Sequence, residues 1–223
     1  MNEQRLQTVL MGALTTAAVL LSVVLLHREF APSRPVDVVS GPPVFLSDWK
    51  DWLLRGRVIG DSAAPIQVVV FSDLECPVCR GFDRTLREVR TKLPREMAVV
   101  FVHYPLQGHR FARPAARAAE CAGTQGRFDA FIERVYDRQD SLGLKPWSQY
   151  ASESGVQDTV AFSHCVIDTT SVPRIADGVN LARKLGLHGT PTVVVNGWRF
   201  AVAPDADGLL RAIQQIKEGK HPS

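Results

Sequence analysis

The sequence predicts an α/β domain, a sheet with helices on its faces and a helical block inserted midway, preceded by one N-terminal membrane-spanning helix. Three observations predict it. Short β-branched runs alternate with amphipathic helical segments, which favours a sheet covered on both sides. Several helical segments follow one another in the middle of the chain with no strand pattern between them. One uncharged run of 21 residues stands close to the N-terminus. The 223 residues are 45% hydrophobic and 22% charged, which excludes long-range disorder, a collagen repeat and a disulfide knot. Lys and Arg number 26 against 23 Asp and Glu, too small an excess to indicate a nucleic-acid partner.

In chain order, residues 1–5 are a short tail. Residues 6–26 read LQTVLMGALTTAAVLLSVVLL without a charge. At about 1.5 Å per residue they cover roughly 30 Å, a bilayer's hydrocarbon core. A cleaved signal peptide and a buried core helix are the alternatives. A signal peptide has a shorter apolar region of roughly 7–15 residues and then a small-residue cleavage site. Here His27, Arg28 and Glu29 follow directly, so an uncleaved anchor is the preferred reading. Arg5 on one flank against Arg28 and Arg34 on the other leaves the positive-inside count nearly balanced. Residues 27–43 form a tether. Four prolines and a glycine within 31–43 resist helix and sheet.

Residues 44–223 fit one domain. Trp49 and Trp52 belong to a short helix packing on it, with membrane-interface contact as the alternative. Residues 66–71 read as a buried strand. Residues 77–93 form a helix with Leu86, Val89 and Leu93 on one face and arginines between them. Residues 97–103 give a second strand. Helices are expected at 114–123, 127–139, 147–155 and 172–187, within an insertion spanning about 112–187. Residues 192–196 and 199–202 form a hairpin about Asn196-Gly197. A helix over 205–218 closes the chain.

The four cysteines fall into two kinds. Cys76-Pro77-Val78-Cys79 sits where strand passes into helix. Unpaired N–H groups and the positive end of the helix dipole favour an anion at Cys76, which lowers a thiol pKa and makes a nucleophile. Pro77 suits the first helical turn. Val78 contributes no charge. Cys79, about one turn on, can reach back and form a disulfide, so one thiol attacks and the other resolves. Half a zinc site, a haem attachment and a purely structural disulfide are the competing readings. No second CxxC or HxxxH completes four zinc ligands, and residue 80 is Arg where haem attachment needs His. Neither metal nor organic cofactor is expected, since the dithiol itself carries the electrons. Cys121 and Cys165 have no activating neighbour. They read as two buried thiols or as one bridge. The bridge is preferred under oxidising conditions, and closing about 45 residues would add on the order of 4 kcal/mol by chain entropy.

These stretches resemble the DsbA-like thioredoxin family of bacterial thiol–disulfide oxidoreductases. The resemblance rests on residues 68–79 (VVVFSDLECPVC), His103-Tyr104-Pro105-Leu106, residues 115–122 and residues 189–197 (GTPTVVVNG). It implies a thioredoxin fold with an inserted helical subdomain. It also implies a cis Thr190–Pro191 bond facing the CxxC and presenting the Thr190 backbone to an extended substrate, and it strengthens the Cys121–Cys165 bridge. Two departures stand out. The family often places a buried acid six residues before the first cysteine, where this chain has Val70. Its best-known oxidase has His where this chain has Val78. Asp73 and Glu75, if close to Cys76, would oppose a thiolate; a solvated loop is the alternative. A milder oxidant is the expectation. His103 and His109 stand near the active face or serve a structural role.

The resemblance implies a membrane-anchored thiol–disulfide oxidoreductase acting on unfolded or cysteine-containing exported proteins. Cys76 is its nucleophile, Cys79 resolves, and Thr190 and Pro191 position the substrate. A quinone-linked membrane partner, DsbB-like or vitamin-K-epoxide-reductase-like, would reoxidise it. Such chemistry puts a single-pass protein in the inner membrane with its domain on the periplasmic side. A disulfide reductase or isomerase serving cytochrome maturation or repair, and a non-catalytic anchored binding module, are the other readings.

Overall fold

β-Branched runs with no polar alternation can be strands only if both their faces are covered, and two such runs form the centre of the sheet. The computed structural model describes residues 3–30 and 41–223. The chain divides into two units, Met1–Val38 and Val39–Ser223.

The first unit holds helix α1 (Glu3–Phe30), which continues past the expected end at residue 26. Its described side chains are all exposed. Among the described residues, no helix is long and apolar enough to cross a membrane. Residues 31–40 of the expected tether lie outside the described residues.

The second unit is built on a six-stranded sheet of β1 (Val44–Phe45), β2 (Arg57–Ile59), β3 (Ile66–Ser72), β4 (Met97–His103), β5 (Thr192–Val195) and β6 (Trp198–Arg199). The strand order is β1-β6-β5-β3-β4-β2. β3 is central. It runs parallel to β4, from Ile66 opposite Met97 to Ser72 opposite His103, and antiparallel to β5. The parallel pair needs a crossover, and α2 (Pro77–Lys92) supplies it. Every residue of β3 and β4 is buried.

The two faces of β3 pack into different cores. Val68 and Val70 meet Phe82, Leu86 and Val89 of α2 and Leu209 and Ile213 of α8 (Ala206–Lys217). Val69 and Phe71 meet Trp49, Trp52, Ala182 and Leu187 on the other side. Trp49 and Trp52 are thus sheet-packing residues of a short 3-10 helix, with Trp52 edge-on to Phe71. Asn196 and Gly197, both with positive φ, turn β5 into β6. β6 ends at Arg199, shorter than the expected 199–202 and starting one residue earlier.

Between β4 and β5 lie α3 (Ala112–Gly123), α4 (Phe128–Asp137), α5 (Trp147–Glu153), α6 (Thr159–Ile167) and α7 (Pro173–Lys184). The expected insertion to residue 187 is too long. α3 to α6 pack on one another, whereas α7 packs on β4 and the 3-10 helix, so the inserted block closes near Ile167. A Cβ on Gly178 of α7 would overlap the His103 carbonyl, and glycine permits that close approach. α6 had no helical stripe to reveal it; Phe162 is its one buried side chain.

A buried charged group fixes the block to the sheet. Glu120 of α3 accepts from Arg57 of β2 at 2.9 Å and lies 3.1 Å from His103 Nε2 of β4. Burial disfavours the Glu120 anion, but His103 and Arg57 outweigh it and lower its pKa to about 2. Arg87 of α2 bridges to Glu133 (2.6 Å) and Asp137 (2.9 Å) of α4.

Candidate active site

Cys76 is the N-cap of α2, with extended backbone and no side-chain cap, and Pro77 occupies the first turn. The helix N-terminus therefore presents its N–H groups to the sulfur itself. Both Cys76 and Cys79 are free thiols and buried, at 5% and 1% exposure, while Val78 between them is 62% exposed.

The two sulfurs are driven apart electrostatically. The Cys79 thiol is the largest influence on Cys76. Together with backbone N–H groups of Cys79 and Val78 and the Thr190 side chain, it outweighs burial and lowers the Cys76 pKa to about 5. Burial, then the hydrogen bond to Cys76 and its charge, push the Cys79 thiol far up. One sulfur is an anion at neutral pH and its partner holds a proton.

The Thr190–Pro191 bond is cis. Cys76 Sγ lies 3.5 Å from the Thr190 carbonyl oxygen, and Thr190 Oγ1 is buried. Thr190 and Pro191 thus stand at the nucleophile, more than a hundred residues away along the chain.

The acids expected to oppose the thiolate are otherwise engaged. Asp73 is 1% exposed, so the solvated-loop reading does not hold for it. Its carboxylate accepts from the N–H groups of Glu75 and Leu106, each at 2.8 Å, and lies 2.8 Å from His109 Nδ1. Glu75 accepts from the Phe111 N–H at 2.5 Å. Both carboxylates bind the 104–111 loop to the motif. Burial disfavours the His109 cation, but Asp73 and then the charges of Glu75 and Cys76 raise its pKa overall. His103 is turned away from the motif to Glu120.

Several groups around the pair escaped the sequence reading. Buried Gln139 donates to the carbonyls of Leu74 (2.9 Å) and Cys76 (3.0 Å), holding the loop that carries the nucleophile. Ser72 Oγ and Tyr136 OH are 2.8 Å apart beside Cys79. Asp83 had a legible signal: four residues after Cys79, it shares the apolar face of α2 with Phe82 and Leu86. Cys121 and Cys165 are joined in a disulfide between α3 and α6, with Cα atoms 5.8 Å apart. Among the described residues no His, Cys, Asp and Glu cluster fits a metal ion.

A family model described as Thioredoxin matches residues 54–215. A thioredoxin-like oxidoreductase from Silicibacter pomeroyi is 26% identical, with a TM-score of 0.63 over 74% of this chain and 93% of its own. BdbD from Bacillus subtilis shares the fold at 21% identity, with a TM-score of 0.67 over 81% of this chain and 98% of its own. A Na(+)/H(+) antiporter NhaA 1 from Mycolicibacterium vanbaalenii is 34% identical over 163 residues, 72% of this chain. The chain spans about a quarter, 26%, of that curated relative. The match over residues 54–215, on a sheet and crossover helix that carry the CxxC at the helix mouth, shows that this chain belongs to the thioredoxin family.

Proposed function

We propose that this protein is a thiol–disulfide oxidoreductase exchanging disulfides with cysteine-containing exported proteins. The observation that carries the reading is a pair of buried free thiols at the mouth of α2, with Cys76 as its N-cap and Cys76 Sγ 3.5 Å from the carbonyl of the cis Thr190–Pro191 bond. In the oxidising direction, a substrate thiolate attacks Cys76 of the Cys76–Cys79 disulfide. Cys79 leaves with the electron pair and takes a proton. A second substrate thiolate then displaces Cys76, which leaves as the stable anion. The reducing direction is the reverse. Thr190 supports substrate positioning: its carbonyl lies beside the reacting sulfur, on a segment an extended chain can pair with.

A more stable leaving thiolate makes a stronger oxidant. Val78, which places no charge beside Cys76, supports a mild oxidase over a strong one, with reductase or isomerase activity as the alternative. Residues 6–26 anchor the protein as a single-pass inner-membrane helix, with the domain on the periplasmic side. That side is where a stable Cys121–Cys165 disulfide belongs. A quinone-linked membrane protein of the DsbB or vitamin-K-epoxide-reductase type would reoxidise Cys79 and Cys76. Antiport is no part of this reading.

Two assays test it. Wild type should reduce insulin and oxidise a reduced, unfolded substrate, and Cys76→Ser should lose both by at least about 10³-fold. Equal activity in Cys76→Ser rejects the mechanism. No activity in wild type leaves a binding module.

A further inference from the structure

Two carboxylates, Asp73 and Glu75, stand on the turn that carries the nucleophile, a turn closed by the Cys76 N–H on the Asp73 carbonyl at 3.2 Å. The Asp73 carboxylate is fully buried and lies 2.8 Å from Nδ1 of His109, whose side chain is 28% exposed. An ionised carboxylate has no proton to offer, so Nδ1 carries the hydrogen and donates it. That leaves Nε2 as the atom that gains or loses a proton, on a ring that solvent reaches. Of the neighbouring cations, Arg110 lies over the Phe111 ring and Arg80 pairs with Asp140. The imidazole of His109 is therefore placed to answer the acids beside the nucleophile. We propose that His109 is a positioning residue whose proton is tied to the redox state of Cys76, bound when Cys76 is a thiolate and released when Cys76 is in the disulfide.

This rests on the oxidoreductase reading and deepens it. A substrate dithiol that becomes a disulfide gives up two electrons and two protons. The electrons break the Cys76–Cys79 bond. Cys79 keeps one proton, and Cys76, an anion, keeps none. The second proton is left over, and His109 Nε2 accepts it beside the new negative charge. In the reducing direction the electrons return to substrate, the Cys76–Cys79 bond reforms and His109 gives the proton up. Burial opposes the His109 cation; the groups that face it, Asp73 and Glu75 of the turn and Cys76 at the mouth of α2, favour it and prevail. Of these three, only Cys76 changes charge with the redox state. The coupling is reciprocal: what the thiolate adds to proton binding at His109, the His109 cation adds to thiolate formation at Cys76.

The test titrates the histidine and the thiol separately on the full-length protein. The His109 imidazole, followed by NMR, should titrate at least about 0.5 pH unit higher in the reduced protein than in the oxidised one. The same midpoint in both forms overturns the proposal, and this comparison needs no variant. His109→Gln removes the charge and keeps a donor for Asp73. It should raise the Cys76 thiolate midpoint by at least about 0.5 pH unit, and move the equilibrium with glutathione at least about threefold toward the protein disulfide. His109→Lys, a cation at every pH of the titration, should bring the thiolate midpoint back to within about 0.2 pH unit of wild type. Equal rises in both variants mark a packing role and overturn the proposal, as does a smaller rise in His109→Gln. Either result leaves the oxidoreductase reading standing where wild type still reduces insulin. A wild type that exchanges no disulfide removes both readings.

Discussion

At the scale of single residues, the site works by giving two identical side chains opposite environments. Cys76 takes the helix N-terminus and the surface, and Cys79 takes the interior. Absorbance of the thiolate at 240 nm should therefore titrate with a midpoint near 5 in wild type. A midpoint near an ordinary thiol's 8.5 would contradict the helix-mouth account. The same depression sets a pH dependence of stability. A lowered folded-state pKa stabilises the reduced protein fully above about 8.5, and this stability is lost as pH falls through about 5. The oxidised protein has no such thiolate. The difference in urea midpoint between reduced and oxidised forms should shift toward the oxidised form across that window. Asp73 serves the site by holding a loop. Asp73→Ala strands the N–H groups of Glu75 and Leu106 in a buried place, and should cost about 3 kcal/mol by equilibrium unfolding.

At the scale of elements, Glu120 ties the inserted block to the sheet, Arg87 ties α2 to α4, and the disulfide ties α3 to α6 within the block. Residues 121 and 165 are 44 apart in sequence, and closing a loop of that size contributes about 4 kcal/mol on the chain-entropy account. The double variant Cys121→Ala/Cys165→Ala should unfold at lower denaturant by about that amount. It should keep the Cys76 titration, because neither sulfur lies at the site. A loss below about 1 kcal/mol would show that packing of α6 on α3 suffices. α7 depends on contact. Gly178→Ala presses a methyl group on the His103 carbonyl, and should lower the thermal midpoint by several degrees.

At the scale of the whole molecule, the second unit carries its own cores. Both apolar cores of the second unit are built from residue 46 onward. A chain beginning at residue 44 should fold and reduce insulin within about twofold of full length. A larger loss would give residues 1–43 a part in the site. The central strands, the crossover helix and its reactive cap were legible before folding, because runs such as 66–71 and the CPVC at a strand–helix junction are local patterns with local causes. It missed β1 and β2, two- and three-residue strands defined only by the partners they pair with. It also set α7 with the inserted block, since an amphipathic stripe says that a helix is buried but not against what. Only the tertiary structure decided that Thr190 stands 3.5 Å from Cys76, and that Asp73 is buried under the 104–111 loop. These are relations between segments far apart in the chain, created when packing brings them together, and local sequence periodicity carries no record of them.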